Sequence, residues 1–460
     1  MEATERIAHF VAETRLETLS AEVVTAAKRA VLDTLGVTLA GAAEEGSRLL
    51  LDSLSATADA GPAHIFGTDL RASASQAALA NGALGHALDF DDVNVNMRGH
   101  PSVPVLPAVL AVAEAAEAAE AAGSDGGAVL SAFVVGFEVE CKLGRALGAS
   151  SYARGWHATS VAGALGAAAA CANLLRLDAA RTRNALGIAS SMACGTRQNF
   201  GTMTKPLHAG LAARAGVEAA DLAARGFTAA PDILEAPMGF GVLFSPGDDW
   251  RPERIGDPGK PWDILSPGIN VKQYPCCYMT HQALDATLAA TERRPLDAAE
   301  VESIEVRVSP GSTSALIHHR PTSGLEGKFS MEYCVAAAVL DGAVRLRTFD
   351  EDQVQRPEAQ QLLRRVSIVH PPEAKAWTSP STRVTVRLRD SSALRAEVTR
   401  ERGSPGDPLS WDELVDKYRD CARRVLPEQQ VDRSLELIAA LPESRIRELA
   451  LTLTPSGAPA

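Results

Sequence analysis

The feature that most constrains the fold of this chain is a succession of alanine-rich stretches that extends from the N-terminus to about residue 245. VVTAAKRAVLDTLGVTLAG, SAFVVGFEVECKLGRALG and TSVAGALGAAAACANLLRL place their apolar residues at a spacing near 3.6. Small side chains without many aromatic neighbours favour α-helices that pack closely against one another. We therefore predict that this part of the chain is all-helical.

The pattern changes after PGDDWRPERIGDPGKPWD, a segment rich in Pro, Gly and Asp that we interpret as a linker. Beyond it, VESIEVRVS, VSIVHPP and STRVTVRLRDSSALRAEVT read as half-buried strands, with RDSS as a turn and FSMEYCVAAAVLDGAV as a helix. WDELVDKYRDCARRVL and VDRSLELIAAL are helical again. We predict a mainly α protein in which residues 1–266 and 400–460 form a large all-helical domain and residues 267–399 a smaller α+β domain.

Length and charge exclude several classes of protein. A chain of 460 residues is long enough for two domains, and its net charge of −12 argues against binding to nucleic acid or to a membrane surface. AVLAVAEAAEAAEAAG has the composition of a membrane span, but Glu114, Glu117 and Glu120 recur at every third position and predict a solvated helix face. The start, MEATERIAHF, lacks the order of a signal peptide. We expect a cytoplasmic protein with neither nucleic acid nor membrane as partner.

The seven cysteines give no indication of a metal site. They contain no CxxC pair, so zinc ribbons and common iron–sulfur motifs find no support. Cys276 and Cys277 are adjacent, which suits free thiols better than a disulfide between them. We predict that the protein uses no metal.

Four segments combine ionisable side chains with small or apolar neighbours: HALDFDDVNVNMRGHPS, RGWHATS, NFGTMTKPLHAGLAAR and VKQYPCCYMTHQALDA. Each also has a purely structural interpretation. Asp91 or Asp92 could cap a turn, a histidine before a helix is often a packing residue, and the paired cysteines could be packed thiols. Lys205 is harder to explain in this way, because a buried ammonium group needs a partner.

Charge is distributed unevenly in a way that predicts an anionic ligand. Acids outnumber bases 57 to 45 in the chain, yet residues 179–217 contain no Asp or Glu. The cations of this run are Arg181, Arg183, Arg197, Lys205 and Arg214. If the acids of residues 89–92 face this positive segment, the site holds both bases and cations. That combination suits removal of a proton α to a carboxylate without a metal.

The motifs HALDFDD, GHPSVPVLPAVLA, GWHATS, GTMTKPLHAGLAAR, KQYPCCYMTH and KFSMEYCVAAAVLDG, in this order, resemble the MmgE/PrpD family. That family includes 2-methylcitrate dehydratase, cis-aconitate decarboxylase and iminodisuccinate epimerase. The resemblance implies a large all-helical domain with an inserted α+β lid domain, and a homodimer. It also implies a site between the domains that binds a small anionic carboxylate and uses neither a metal nor an organic cofactor.

The resemblance also assigns site residues. The catalytic positions carried over by motif are Asp89 of DFDD, His100 of GHPS, His157 of GWHATS, Lys205 of TKPLH, Lys272 of VKQYP and Tyr333 of MEYC. Within the same segments, we predict that Arg98, His208 and Cys277 contact the substrate.

Two positions depart from the pattern of the lyase members. Val93 stands where a Thr often follows DFDD, and Cys277 stands where the decarboxylase has a His. MRGHPS together with NFGTMTKP is more similar to the epimerase members.

Three hypotheses about function follow. The first is a metal-independent lyase, a dehydratase or decarboxylase, that acts on a di- or tricarboxylate by α-proton abstraction. The second is an epimerase of an iminodisuccinate-like amino-dicarboxylate, and the third a non-catalytic carboxylate-binding protein.

Overall fold

The computed structural model describes residues 2–56, 61–119, 125–245, 247, 249–309, 311–371 and 381–455. The prediction of a mainly α protein is confirmed. The first part of the chain forms ten helices within the described residues: α1 Ala3–Glu13, α2 Ala21–Gly41, α3 Glu45–Ser55, α4 Ala74–His86, α5 Ser102–Ala118, α6 Gly126–Ala153, α7 Ala158–Leu174, α8 Ala179–Met192, α9 Thr204–Ala224 and α10 Phe240–Phe244. A short antiparallel pair, β1 Ala63–His64 and β2 Arg71–Ala72, lies between α3 and α4.

Local sequence explains where several of these helices begin. The side chain of Ser20 accepts the backbone N–H of Val23 before α2, and Asp125 accepts that of Ala128 before α6. Ser and Asp are favoured at this position because their side-chain oxygens satisfy N–H groups that have no partner inside the helix.

The helices pack at distances that only small residues allow, and the crossing of α4 with α9 shows this best. A methyl group on Gly210 would lie 2.2 Å from the carbonyl oxygen of Leu79, and one on Gly82 would lie 2.9 Å from the Cα of Gly210. The two backbones therefore touch at these glycines. This contact brings the C-terminal end of α4 and the N-terminal end of α9 close together.

The remaining elements follow in two groups. The first is α11 His281–Ala290, β3 Val301–Arg307, α12 Gly324–Gly327, α13 Met331–Asp341, α14 Glu351–Gln355, α15 Pro357–Leu362, β4 Val366–Val369, β5 Thr382–Leu388 and β6 Ala393–Val398. The second is α16 Trp411–Ala422, α17 Glu428–Ala439 and α18 Ile446–Thr452.

The four later strands form one sheet in the order β4-β3-β5-β6. β3 pairs with β4 in parallel, and the other pairs are antiparallel. The strands and the RDSS turn predicted from the sequence are therefore present. The inner positions of β3, Val301, Ile304 and Val306, are buried in the same core as the apolar residues of α11 and α13.

The buried apolar residues form two large cores. One contains residues from α1 to α9 together with residues from α16 to α18. The other is made almost entirely from residues 274–386. The helical, α+β, helical order of the sequence thus appears as two separate cores, and the domain boundaries at residues 266 and 399 stay a prediction.

The segment interpreted as a linker is held against the helical core. Residues 246 and 248 lie outside the described residues, but Gly259 and Asp263 donate their backbone N–H groups to the carboxylate of Glu138, each at 2.7 Å. Lys142 pairs with Asp263 at 2.5 Å. These contacts fix the position at which the chain enters the α+β part.

One prediction about α5 is wrong. Glu114 does not face solvent but is buried, and its carboxylate contacts the ring and the backbone N–H of His64. The strand pair after α3 covers this face of the helix, which the helical periodicity of α5 alone cannot indicate. Glu117 is partly exposed, and Glu120 lies outside the described residues. Within the described residues, no helix is long and apolar enough to cross a membrane.

Candidate functional site

Five of the six predicted catalytic residues gather around the loop of residues 87–101, which joins α4 to α5. The loop turns because Asp89 adopts a left-handed backbone conformation, with φ of 51°, which aspartate tolerates better than most residues. Asp92 accepts hydrogen bonds from the backbone N–H and the hydroxyl of Ser102, at 3.2 and 2.5 Å, at the start of α5. Asp92 thus has the structural role considered from the sequence, and the carboxylates of Asp89 and Asp91 are buried in the interior.

Two lysines meet the carboxylate of Asp89. Lys205, in the first turn of α9, places Nζ 2.7 Å from Oδ1. Lys272 donates to the backbone carbonyl oxygen of Asp89 at 2.6 Å and lies 3.2 Å from Oδ2. Burial by itself would raise the pKa of Asp89, but the two ammonium groups outweigh it and hold that pKa well below its usual range. An ionised, buried carboxylate therefore holds two cations side by side.

His86, the last residue of α4, connects Asp91 to Lys205. Its Nδ1 lies 2.8 Å from Asp91 Oδ2, and its Nε2 lies 2.6 Å from Lys205 Nζ. Burial lowers the pKa of His86 to about 3, so the ring is neutral at pH 7 and carries one N–H. Because a carboxylate only accepts, Nδ1 holds that proton and donates it to Asp91, while Nε2 accepts from Lys205. A chain of hydrogen bonds runs from Asp91 through His86 to Lys205.

His100 lies beside His86, with ring centroids 4.5 Å apart. Its Nδ1 is 3.1 Å from Asp91 Oδ2, and its Nε2 is 3.7 Å from Asp89 Oδ1. Burial would raise the pKa of Asp91, but His100 and His86 hold it well below its usual range. Burial lowers the pKa of His100 itself. This histidine is therefore a neutral ring within reach of both carboxylates.

His157, immediately before α7, faces the same group. Its ring stacks on that of His86, with centroids 5.7 Å apart, and meets Phe200 edge-on at 5.0 Å. Its Nδ1 lies 3.0 Å from the Nδ1 of His208 in α9. Burial and then the charge of Lys205 lower the pKa of His157 well below its usual value. Since Nδ1 is engaged by His208, Nε2 is the nitrogen left for a bound molecule.

Together these residues form what we call the acid–base cluster: His86, Asp89, Asp91, His100, His157, Lys205 and Lys272. Five of the six predicted catalytic residues belong to it. Lys272 reaches it because Val93 and Asn270 exchange backbone hydrogen bonds of 2.9 Å in both directions, which joins the loop to the segment before α11. Lys417 of α16 adds to this by donating to the carbonyl oxygens of Phe90 and Lys272, at 3.0 and 2.9 Å.

A cavity of about 430 Å³ adjoins this junction and is lined by residues of both parts of the chain, among them Phe90, Lys272, Arg345 and Lys417. Its volume lies within the range that small-molecule sites occupy, roughly 300–1,000 Å³. Phe90 of the loop and Lys272 of the acid–base cluster both border this open space.

The cluster includes a set of side chains with the composition of a metal site. Ligand atoms of His86, Asp89, Asp91 and His100 all lie within 4.8 Å of one another. However, the Lys205 ammonium already lies 2.7 Å from Asp89 Oδ1 and 2.6 Å from His86 Nε2. A divalent cation would be repelled by Lys205 and would have to displace it. The residues present therefore fit a lysine cation better than a metal ion.

Two predicted residues make their contacts elsewhere. Arg98 donates to the carbonyl oxygens of Asn96 and Gly144, both at 3.4 Å. Tyr333 lies in α13 inside the second core, and its hydroxyl donates to the carbonyl oxygen of Thr348. Among the described contacts of these two side chains, none joins them to the acid–base cluster.

The other two predicted substrate contacts lie next to the cluster. His208 lies next to His157, because the Nδ1 atoms of the two rings are 3.0 Å apart. Cys277 is buried, and burial together with the nearby Asp89 carboxylate raises its pKa to about 12. Its thiol is therefore neutral, which does not suit a nucleophile.

The positive segment of residues 179–217 contributes less than its charge predicts. Of its five cations, Lys205 enters the acid–base cluster. Arg214 instead pairs with Glu218 at the surface. Arg197 lies with its guanidinium 3.7 Å from the ring of Tyr152 and donates to a backbone carbonyl.

Sequence reasoning missed three parts of the site. His86 is the first residue of HALDFDDVNVNMRGHPS and is not among the predicted site residues, although its position close to DFDD is a usable signal. Tyr152 is partly exposed, its pKa is raised first by burial, with smaller effects of Arg197, Cys277 and Asp89, and nothing in its local sequence marks it. Phe200 and Phe329 each place a ring centroid 5.4 Å from Lys205 Nζ, and only the tertiary contact shows this.

Two domain models match the chain: the MmgE/PrpD N-terminal domain at residues 5–253 and the MmgE/PrpD C-terminal domain at residues 274–443. Together they cover most of its length.

Curated relatives are similar over nearly the whole chain. The cis-aconitate decarboxylase of Homo sapiens is 29% identical, over 99% of this chain and 95% of its own length. The cis-aconitate decarboxylase of Mus musculus is 30% identical, over 95% of this chain and 90% of its own length. The cis-aconitate decarboxylase of Aspergillus terreus (strain NIH 2624 / FGSC A1156) is 29% identical, over 95% of this chain and 93% of its own length.

Proposed function

Because the chain belongs to the MmgE/PrpD family, we propose that it is a metal-independent lyase that acts on a small tricarboxylate of the cis-aconitate type. The observation that carries this proposal is the buried arrangement of Lys205, Asp89 and Lys272 beside neutral imidazoles. It provides fixed cations next to groups that can exchange a proton. The similarity to cis-aconitate decarboxylases favours decarboxylation over the other lyase reaction, dehydration.

In the proposed reaction the lysines stabilise negative charge. Loss of carbon dioxide, or removal of an α proton, leaves an electron pair that is delocalised onto a neighbouring carboxylate. Preorganised cations stabilise such charge strongly when water is excluded. Each ammonium has three N–H groups, and Lys205 uses one for Asp89 and one for His86. The third N–H remains for a substrate carboxylate.

In the same scheme His157 transfers a proton to or from the reacting carbon of the substrate. Its Nε2 is free of protein partners in the described contacts, and the lowered pKa keeps the ring neutral at pH 7. A neutral imidazole accepts a proton in dehydration, or it delivers the one it carries after decarboxylation. General acid–base groups of this kind contribute roughly 10²–10⁴-fold to the rate.

A second candidate is an epimerase acting on an amino-dicarboxylate. Two observations favour it. Cys277 stands where the decarboxylase pattern has a His, and two neutral imidazoles, His100 and His157, both lie next to the His86 ring. Inversion at one carbon requires two acid–base groups on opposite faces. Membership of the family is compatible with both candidates.

The test is turnover against cis-aconitate, other tricarboxylates and amino-dicarboxylates in heavy water. A decarboxylase releases carbon dioxide and one product molecule in equal amounts, with one solvent deuterium on the product carbon. An epimerase releases no carbon dioxide and places deuterium at the inverted centre. His157→Gln should slow the reaction by roughly 10²–10⁴-fold without lowering the melting temperature to the same extent as a core substitution. Binding of carboxylates without any turnover or exchange would instead favour a carboxylate-binding protein.

We further propose that the protein acts as a homodimer in the cytoplasm. Exposed apolar side chains in the segment before and within α10, Phe227, Met238 and Leu243, are consistent with a covered surface. Light scattering should give twice the chain mass of 48.3 kDa. A monomer at micromolar concentration would contradict the proposal.

A further inference from the structure

The partner of His157 is unusual for an acid–base histidine. Such rings are generally held in one tautomer by a carboxylate or a backbone carbonyl, which can only accept a hydrogen bond. Here the partner is another imidazole: the Nδ1 atoms of His157 and His208 are 3.0 Å apart, and both side chains are buried. A neutral imidazole can donate or accept at Nδ1, so either ring can hold the shared proton.

His86 gives an internal comparison. Its Nδ1 faces the Asp91 carboxylate at 2.8 Å, which fixes the proton on Nδ1 and leaves Nε2 as an acceptor for Lys205. The ring of His86 is therefore locked in one tautomer. His157, stacked on it at 5.7 Å, has no carboxylate at its Nδ1.

We propose that His208 is a proton-exchange partner of His157, which lets the same ring present either a lone pair or an N–H at Nε2. This inference rests on the proposed function only in taking His157 as the group that exchanges a proton with the substrate carbon. It gives His208 a positioning role instead of the direct substrate contact predicted from the sequence.

The proton movements balance as follows. Initially His157 holds a proton on Nδ1 and His208 holds one on Nε2. When His157 Nε2 takes a proton from carbon, the Nδ1 proton passes to His208 Nδ1. The electron pair of the broken C–H bond stays on the substrate, and His208 becomes the imidazolium. Loss of its Nε2 proton to water leaves His157 with an N–H at Nε2, ready to donate. In the decarboxylase direction these steps run in reverse from this second state. His208 takes a proton from water at Nε2 and returns its Nδ1 proton to His157 Nδ1, while His157 Nε2 delivers its proton to the carbon that has lost carbon dioxide, and both rings end neutral.

Burial and the Lys205 ammonium oppose a positive charge on both rings, and they do so less strongly for His208. They lower the pKa of His157 well below its usual value and that of His208 to about 4. Of the two rings, His208 is therefore the one that carries the extra proton at the lower cost in free energy.

The experiment is nitrogen NMR of protein labelled with ¹⁵N-histidine, at pH 8 and without substrate. His157→Gln identifies the signals of His157. In the wild-type protein we expect both ring nitrogens of His157 at shifts intermediate between protonated and unprotonated imidazole nitrogen. In His208→Asp the carboxylate should fix the proton on Nδ1, so that Nδ1 appears fully protonated and Nε2 fully unprotonated. His9→Gln, at an exposed histidine, serves as the control and should leave the His157 signals unchanged.

A single fixed tautomer of His157 in the wild-type protein would overturn the proposal, and this result does not depend on the His208→Asp protein. The substrate-free readout also separates the inference from the proposed function. If no carboxylate is turned over but the mixed tautomer is observed, the lyase assignment fails and the proton-sharing pair is supported.

Discussion

At the residue scale, the site depends on how a buried carboxylate is neutralised. Asp89 is 3% exposed, and Lys205 and Lys272, which are 3% and 0% exposed, compensate its charge. Charges buried in this way stabilise the fold only as a set, because removal of one member leaves another without a partner. Catalysis and stability are therefore linked at these positions, and experiments must separate them.

We expect Lys205→Met to lower both activity and stability. Loss of a hydrogen bond to a charged group costs about 1.5–3 kcal/mol, which corresponds to a fall in rate of roughly tenfold or more. The uncompensated Asp89 carboxylate should lower the free energy of unfolding by about 3 kcal/mol. Steady-state kinetics and urea unfolding measure the two effects.

The double variant Asp89→Asn with Lys205→Met is the matched control. Removing the carboxylate as well as the ammonium should restore part of the stability, whereas activity should stay low. Near-normal kinetics in a folded Lys205→Met protein would show that this lysine is structural.

The histidines of the acid–base cluster predict loss of stability in acid. Burial lowers the pKa of His86 to about 3, below its ordinary value of 6.5. Between pH 6.5 and about 3, the imidazole of His86 is therefore protonated in the unfolded chain but neutral in the folded protein. The stabilisation is fully present above pH 6.5 and is lost as the pH falls towards 3, at about 1.4 kcal/mol per pH unit.

His86→Gln should remove this slope, because a glutamine amide can still donate to Asp91 and accept from Lys205 but does not titrate. Urea unfolding between pH 4 and 6.5 should give a flatter pH dependence for the variant than for the wild-type protein. His9→Gln, at an exposed ring, should change nothing. Parallel curves for wild type and His86→Gln would refute the assignment of a neutral His86.

At the element scale, the position of α16 determines how two separate segments meet. Lys417 in this helix pairs with the buried Asp33 of α2 at 2.6 Å, and it donates to the carbonyl oxygens of Phe90 and Lys272. A helix from the end of the chain thus holds the loop after Asp89 against the segment that carries Lys272. The Lys417 side chain contacts the backbone of both segments, and its described contacts include none of the acid–base side chains.

Lys417→Met should therefore reduce kcat by about tenfold or more, since the two segments lose charge-assisted hydrogen bonds of about 1.5–3 kcal/mol each. Stability should also fall, because Asp33 is left unpaired. Adding Asp33→Asn should recover stability without restoring kcat. Lys28→Met is the control, because Lys28 also donates to a backbone carbonyl but at the surface. Full activity of the double variant would show that α16 does not position the site.

At the scale of the whole molecule, the proposed catalytic site is assembled from both parts of the chain and holds its own cations. Lys205 comes from the helical part and Lys272 from the segment that enters the α+β part, and both bind Asp89. Fixed lysine cations can take the electrophilic role that a metal has in other lyases.

We accordingly expect activity to survive dialysis against a chelator, with no stoichiometric metal in the active protein. Elemental analysis of the purified protein, followed by assays before and after chelation, measures this. A variant with Lys205 replaced by Met, which opens the space between His86 and Asp89, gives a comparison that should bind divalent cations more readily than the wild-type protein. Stoichiometric metal whose removal abolishes turnover would contradict a metal-independent mechanism.

Short-range sequence patterns are enough to predict the local structure and the segments in which ionisable residues stand among apolar ones. Helical spacing predicts α2, α6 and α7, alternation predicts β3 to β6, and both patterns depend on neighbours only a few residues away. The segments that carry Asp89, His157, Lys205 and Lys272 stand out because ionisable residues are rare in apolar surroundings. Cap residues such as Ser20 mark helix starts for the same local reason.

Which atoms meet in the site depends on contacts between distant parts of the chain. Lys205 binds Asp89 across 116 residues of chain, and Lys272 does so across 183. These contacts depend on the close crossing of α4 and α9 at Gly82 and Gly210, which no periodic pattern encodes. Long-range packing also sets the direction of each side chain. For this reason Glu114 is buried against the strand pair and the Tyr333 hydroxyl points to Thr348, whereas His86 lies at the centre of the site.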